Sequence, residues 1–196
     1  MKDTSLNKVY TTLGASNHSE GERQNEDYYA SDPLAGKLLL EVEKFAPLIW
    51  ECACGEGHLS EVFKAAGHKV LSTDLVYRGY GYKNSIDFLD QNIQEFDGDI
   101  VTNPPYKYAL EFVKKALNCV KDNRKVAMLL RLLFLEGKAR REFFNVNPPK
   151  TVYVFSARID CAKNGDFERY KSGAQAYAWF VWEKGYTGDT VIKWIN

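Results

Sequence analysis

Apolar positions along this chain follow two periods in turn. Residues 34–45 repeat at helical spacing, with Asp32 placed to cap the helix and Pro33 in its first turn. Residues 47–52 are a short apolar run of strand type. Leu59, Val62, Phe63 and Ala66 then recur at helical spacing until Gly67 closes the helix. Residues 69–73 read as the next strand, ending at Asp74-Leu75, and residues 98–102 as another, short and buried. Beyond the alternation that runs to Val120, the pattern predicts a strand over 125–133, a helix over 136–144, and strands over 151–155 and 175–182. Such alternation predicts an α/β fold, a parallel sheet covered by helices on both faces. The link over 157–173 is short enough to reverse the chain between the last two strands. Residues 1–23 are polar and read as a loose N-terminal segment. Residues 24–196 then form a single domain.

Composition narrows the class. With 196 residues and 45% hydrophobic content, the chain can bury a substantial core. No apolar run approaches the roughly 18 residues of a membrane span, and no secretory stretch opens the sequence. Cys52, Cys54, Cys119 and Cys161 do not form paired Cys-x-x-Cys knuckles, and the three histidines are scattered. The expectation is a cytoplasmic protein without a metal site. Formal net charge is zero, so the whole molecule is not an electrostatic nucleic-acid binder. Charge is uneven, however: residues 121–141 hold seven basic side chains against two acidic ones. Arg131, Lys138, Arg140 and Arg141 follow a predicted strand's carboxyl end and could meet phosphates, or could form a solvated helix face. Tyr77, Tyr80 and Tyr82, with Arg78, could stack on bases or simply pack.

Two segments carry candidate chemistry. Asn103-Pro104-Pro105-Tyr106 breaks the chain at the carboxyl end of a predicted strand, because neither proline can donate to a sheet. In open α/β sheets ligands bind at that edge. An amide, a proline carbonyl and an aromatic ring within four residues suit a planar ring with an exocyclic amine. Alone, the tetrapeptide reads equally well as a turn with a surface tyrosine. The second segment is Cys54-Gly55-Glu56-Gly57-His58, a Gly-x-Gly turn between strand and helix, with Asp74 lying 19 residues after Gly55. An acid about 20 residues on is the ribose position of a nucleotide-binding βαβ unit. A nicotinamide-binding domain competes for this half, but it normally carries a third glycine where Ser60 stands. A second Asn-Pro-Pro, Asn147-Pro148-Pro149-Lys150, enters a strand from its amino end and reads as a structural linker.

Glu51 to Gly57 resembles the first motif of class I S-adenosylmethionine-dependent methyltransferases, an acid followed by x-x-x-Gly-x-Gly. Asn103 to Tyr106 resembles the catalytic motif of their amino-methyltransferase branch, in the family's order, and the compact chain is similar to small phage or prophage N6-adenine methyltransferases. The resemblance spans residues 24–183. It implies a Rossmann-like, mostly parallel seven-stranded sheet with an antiparallel last strand. It implies S-adenosyl-L-methionine as cofactor, held by Glu51, Ala53, Gly55, Gly57, Asp74, Leu75, Asp87, Phe88 and Asn103. The segment 27–33, with Tyr29, Asp32 and Pro33, resembles the one that closes over the methionine end. Asn103 and Pro104 would accept the target amine, Pro105 would shape the turn and Tyr106 would stack on the ring. Arg131, Lys138, Arg140, Arg141, Arg158 and Phe167 would meet substrate, the last two in a covering loop over 158–170 with Asn164-Gly165 as its turn. Adenine N6 in DNA is the first expectation. RNA amines, a protein glutamine amide, and a cofactor-binding interaction protein without catalysis remain the alternatives. No separate target-recognition domain fits after Trp182.

Overall fold

A computed structural model describes residues 29–90, 95–159, 161–163 and 175–196. The segment 1–23, the turn Asn164-Gly165 and Phe167 lie outside them. Strand β1 (Tyr29–Ser31) leads into helix α1 (Pro33–Val42). The Asp32 carboxylate accepts the Leu34 N–H at 2.8 Å, and Pro33 takes the first helical turn, where its missing N–H costs nothing. Strand β2 (Leu48–Glu51), helix α2 (His58–Ala65) and strand β3 (Lys69–Ser72) form the βαβ unit read from the sequence. Past α2, Gly67 N–H bonds the Lys64 carbonyl at 2.9 Å and His68 N–H the Phe63 carbonyl at 3.1 Å. This paired closure satisfies carbonyls that would otherwise end the helix unbonded.

Strand β4 (Asp99–Thr102) runs into the prolines and then helix α3 (Ala109–Cys119). Strand β5 (Lys125–Arg131), a 3-10 turn at Leu132–Leu135, and helix α4 (Lys138–Val146) follow. The predicted strand over 125–133 therefore ends two residues early, in that turn. Strands β6 (Thr151–Phe155), β7 (Cys161–Lys163), β8 (Tyr177–Glu183) and β9 (Val191–Ile195) complete the chain.

Seven strands form one sheet in the order β3-β2-β4-β5-β8-β6-β9. β8 runs antiparallel to both neighbours, β5 and β6, and the remaining pairs are parallel. The reversal over 157–173 is thus realised. β9 is an addition, pairing in parallel with β6 at the sheet edge. β1 and β7 pair antiparallel as a separate ribbon.

Successive residues of each central strand enter opposite faces, as the pleat demands. Val126, Met128 and Leu130 of β5 pack with Phe112 and Val113 of α3 and Phe143 of α4. Ala127 and Leu129 pack with Leu38 and Leu39 of α1 and Leu59 and Phe63 of α2. Helices therefore cover both faces. Trp179 of β8 is fully buried, and its indole N–H bonds the Ala35 carbonyl of α1 at 2.9 Å. Removing that ring would cost about 3–5 kcal/mol, the range for large core aromatics.

Candidate active site

Three parallel strands end side by side: β2 at Glu51, β3 at Ser72 and β4 at Thr102. Above their carboxyl ends opens a cleft of about 880 Å³. Its walls include Tyr29, Glu51, Ala53, Asp74, Leu75, Asp87, Phe88 and Asn103 to Tyr106, so most residues singled out in the sequence converge here. Asp32 and Pro33 do not line it; they serve α1 as cap and first turn.

The Asn103 amide is held from one side only. Its Nδ2 donates to Ser31 Oγ at 2.9 Å and to the Tyr29 carbonyl at 3.3 Å, both on β1. The carbonyl can only accept, so the amide orientation is fixed by its partners. Oδ1 is therefore turned away from β1, and it is buried with no hydrogen-bond partner among the described residues. Nearby, the Pro105 carbonyl accepts the Tyr108 N–H at 2.9 Å. Ser31 is the contributor that sequence reading passed over. It lies in the segment already singled out, but its role depends on β1 folding across to β4.

The Tyr106 ring is packed by Tyr29 and Tyr177, with centroids 5.9 and 5.7 Å away, and the Arg131 guanidinium lies 4.8 Å over it. Its buried hydroxyl lies beside Tyr177 and Cys161 without a hydrogen bond of good geometry. Burial first, and those neighbours second, push its pKa well above the ordinary tyrosine value. The phenol stays protonated at neutral pH.

Glu51 is buried at the end of β2. The Ser60 hydroxyl of α2 hydrogen-bonds its carboxyl group and lies 2.7 Å from Ser72 Oγ. Burial raises the Glu51 pKa to about 8, outweighing the Ser60 bonds that lower it. Burial also holds Cys54 up at about 12 and Cys52 well above the ordinary thiol value, so neither is a thiolate nucleophile at neutral pH.

Asp74 ties the turn together. Its Oδ2 accepts the Gly55 N–H at 2.8 Å, while Oδ1 takes the Val76 N–H at 2.9 Å and Arg78 Nη1 at 3.2 Å. Gly57 has φ +86, and a Cβ there would sit 2.5 Å from the Tyr80 ring. Its own loop thus already requires glycine at 57. Tyr80 in turn bonds Glu61 at 2.5 Å and Lys64 at 2.7 Å, latching the loop after β3 onto α2. This is the packing alternative for that tyrosine. On the far wall, the Asp87 side chain accepts the Leu89 N–H at 2.9 Å, and Phe88 is buried against Trp50 and Phe112.

The basic residues divide. Arg131 and Arg140 line a smaller cavity that shares Tyr106 with the main cleft. Lys138, Arg141 and Arg158 are exposed and line neither cavity. Asn147 to Lys150 sits at the amino end of β6, remote from both linings, and is a linker as read. Among the described residues, no group of three or more His, Cys, Asp or Glu could hold a metal ion, and no helix is long and apolar enough to cross a membrane.

No protein-family model matches the sequence, and no curated protein matches it. The fold, by contrast, is found repeatedly among solved structures. The methyltransferase subunit of a type I restriction-modification system from Streptococcus thermophilus aligns with a TM-score of 0.56 at 16% identity, over 85% of this chain and 47% of that one. A putative class I S-adenosylmethionine-dependent methyltransferase from Listeria monocytogenes aligns at 0.56 and 11% identity, over 96% and 71%. A predicted O-methyltransferase from Agrobacterium tumefaciens aligns at 0.51 and 11%, over 83% and 85%. The chain spans about half the length of the Streptococcus subunit. Its fold is the Rossmann-like class I methyltransferase fold.

Proposed function

We propose that this chain transfers a methyl group from S-adenosyl-L-methionine to an exocyclic amine, adenine N6 in DNA being the favoured target. The observation that carries the reading is Asn103 Oδ1: buried, unpartnered, and aimed by two bonds on the opposite atom. A buried acceptor without a donor costs stability, and its persistence points to a ligand that supplies one. An amine is such a donor.

The cleft fits the cofactor. Its volume lies within the roughly 300–1,000 Å³ of small-molecule sites. Asp74 stands at the ribose position, already oriented by Gly55. Glu51, uncharged at neutral pH in these surroundings, would ionise when an ammonium such as the cofactor's comes beside it. Phe88 and Asp87 offer an apolar wall and a polar one to a purine.

When bound, S-adenosyl-L-methionine supplies a sulfonium methyl, an activated electrophile. The protein then mainly orients the nucleophile. Asn103 Oδ1 and the Pro104 carbonyl would accept hydrogen bonds from the two N–H groups of the target amine, turning its lone pair out of conjugation and toward the methyl. With the sulfonium leaving as a neutral thioether, the methylated nitrogen would lose one proton to water, so no strong base is required of these residues. Tyr106, braced by Tyr29 and Tyr177, forms the side wall for the ring.

DNA is favoured because Arg131 and Arg140 stand next to Tyr106, and because structures of the same fold include a restriction-modification subunit. Two measurements test the reading. In the first, tritiated methyl transfer to DNA, RNA and protein pools should label DNA; label in RNA or protein reassigns the target, and none anywhere leaves a binding protein. In the second, calorimetry of Asp74→Ala should show cofactor affinity lower by about 1.5–3 kcal/mol, the worth of a charged hydrogen bond. Unchanged affinity would remove Asp74 from the site.

A further inference from the structure

The smaller cavity, about 190 Å³, opens beside the main cleft, with Tyr106 lining both. Leu130, Leu133 and Phe134 give it an apolar lining; Arg131 and Arg140 give it charge. Each guanidinium lies on an aromatic face. Arg131 is 4.8 Å over Tyr106, and Arg140 is 5.3 Å over Phe134 with its Nε donating to the Glu136 carbonyl at 2.5 Å. Stacking fixes the plane of a guanidinium and leaves its N–H edge for a bidentate acceptor. Among the described residues no carboxylate lines the cavity and neither arginine joins an ion pair. Arg131 Nε is buried with no acceptor among them. Arg140 has its Nε bonded and Arg131 also bonds the Tyr177 hydroxyl, but two guanidiniums without a carboxylate among the described residues, in a cavity this small, match a single phosphate group.

Position says which phosphate. Tyr106 lines both cavities, so the part of a ligand that extends past this ring from Asn103 can enter the smaller one. On a glutamine side chain nothing anionic stands there. On a nucleotide a phosphodiester stands one sugar away from the base. We infer that this cavity is a phosphodiester subsite, in which Arg131 and Arg140 clamp the backbone phosphate next to the target nucleotide. The inference rests on the amine-methylation reading and makes the substrate a nucleic acid. It also divides the basic segment: Lys138 and Arg141 contribute only diffuse charge.

The test is binding of a labelled single-stranded thymidine tract carrying one adenine, read by fluorescence anisotropy. The phosphate on either side of the adenine is replaced, one at a time, by a neutral methylphosphonate. One replacement should weaken wild-type binding about tenfold or more, as loss of a charged hydrogen bond does. Arg140→Ala should lose a similar factor on the unmodified tract and then be insensitive to the replacement. Arg140→Lys, which keeps charge without the fork, should recover only part. Arg141→Ala should keep the full sensitivity of the wild type. Arg140 is only half-buried, so its loss should not threaten folding. The inference is overturned if Arg140→Ala keeps the full sensitivity, if neither phosphate matters, or if no tract binds. A ribonucleotide tract showing the same non-additivity supports the phosphodiester subsite and transfers it to RNA. Calorimetry of S-adenosyl-L-methionine on the wild type reads the underlying assignment separately: no cofactor binding sinks that reading whatever the tracts show.

Discussion

Asn-Pro-Pro occurs twice, and the two copies stand at opposite ends of strands. At the amino end of β6, the Asn147 carbonyl accepts the Trp182 indole N–H at 3.2 Å and the Pro149 carbonyl accepts the Thr190 hydroxyl at 2.7 Å. Lys150 then enters the ladder through Val181. At the carboxyl end of β4, Asn103 Oδ1 has no partner among the described residues. The contrast extends along β4 itself. Asp99 at its start takes the Ala46 N–H at 2.5 Å on one oxygen and the Lys125 N–H at 2.7 Å on the other. Thr102 Oγ1, Asn103 Oδ1, Tyr106 hydroxyl and Arg131 Nε, buried and unpartnered among the described residues, all gather at the carboxyl edge of β4 and β5. One edge is therefore bonded within the fold, and the other presents polar groups that a ligand can engage.

The sharpest way to break this contrast is Asn103→Ala. Single-turnover methylation should fall by roughly 10²–10³, by analogy with loss of one preorganised polar partner. Cofactor affinity should barely move, and stability should fall only through the two bonds that Nδ2 makes to Ser31 and Tyr29, by about 1–2 kcal/mol. Full activity would return the tetrapeptide to a mere turn. Asp99→Ala should do the opposite. It strands two backbone amides and should lower unfolding free energy by about 2–3 kcal/mol, since solvent reaches the half-buried Ala46 amide. Activity per folded molecule should hold. Denaturant titration beside the same assay separates the two.

Glu51 belongs to the carboxyl edge and gives a pH signature. The unfolded chain loses this proton near the ordinary 4.5, whereas the folded protein keeps it to about 8. Between those values unfolding releases a proton, so stability should decline as pH rises, by at most about 1.4 kcal/mol per unit, and level off above 8. Chemical denaturation across that range should show the decline in wild type and a flatter profile in Glu51→Gln. Equal profiles would mean that Glu51 ionises normally. The smallest effect is expected at the other Asn-Pro-Pro. Asn147→Ala removes a side chain whose backbone carbonyl does the bonding, so stability should change by less than about 0.5 kcal/mol and turnover not at all.

Much of this was readable from residue pattern. β2, the glycine turn, α2 and β3 carry strong local signals, and the prolines after Thr102 mark a strand end wherever it lies. What escaped depends on distant pairing. β9 has only Ile195 buried, and Trp194 is 70% exposed, so no alternation announces it; its backbone bonds to β6 make it a strand. β1 and β7 have three residues each and define one another across most of the chain. Their pairing places Ser31 on Asn103. The basic residues were legible as a cluster, but the curvature of the turn at 132–135 decides which of them face a cavity.

That β1–β7 ribbon also dates the site within folding. The nucleotide-type half, from α1 to β4, contains its own core contacts and can condense early. Asn103 acquires its orientation only when Ser31 and Tyr29 are in place, and β1 has its strand partner only once residues 161–163 exist. Contacts of such long range are slow to close. During synthesis, a nascent chain released as far as β5 would own the whole glycine turn and the prolines, yet hold the Asn103 amide free to rotate. Substitutions at Ile100 or Trp50 should then slow refolding, whereas Ser31→Ala should leave the refolding rate unchanged and accelerate unfolding.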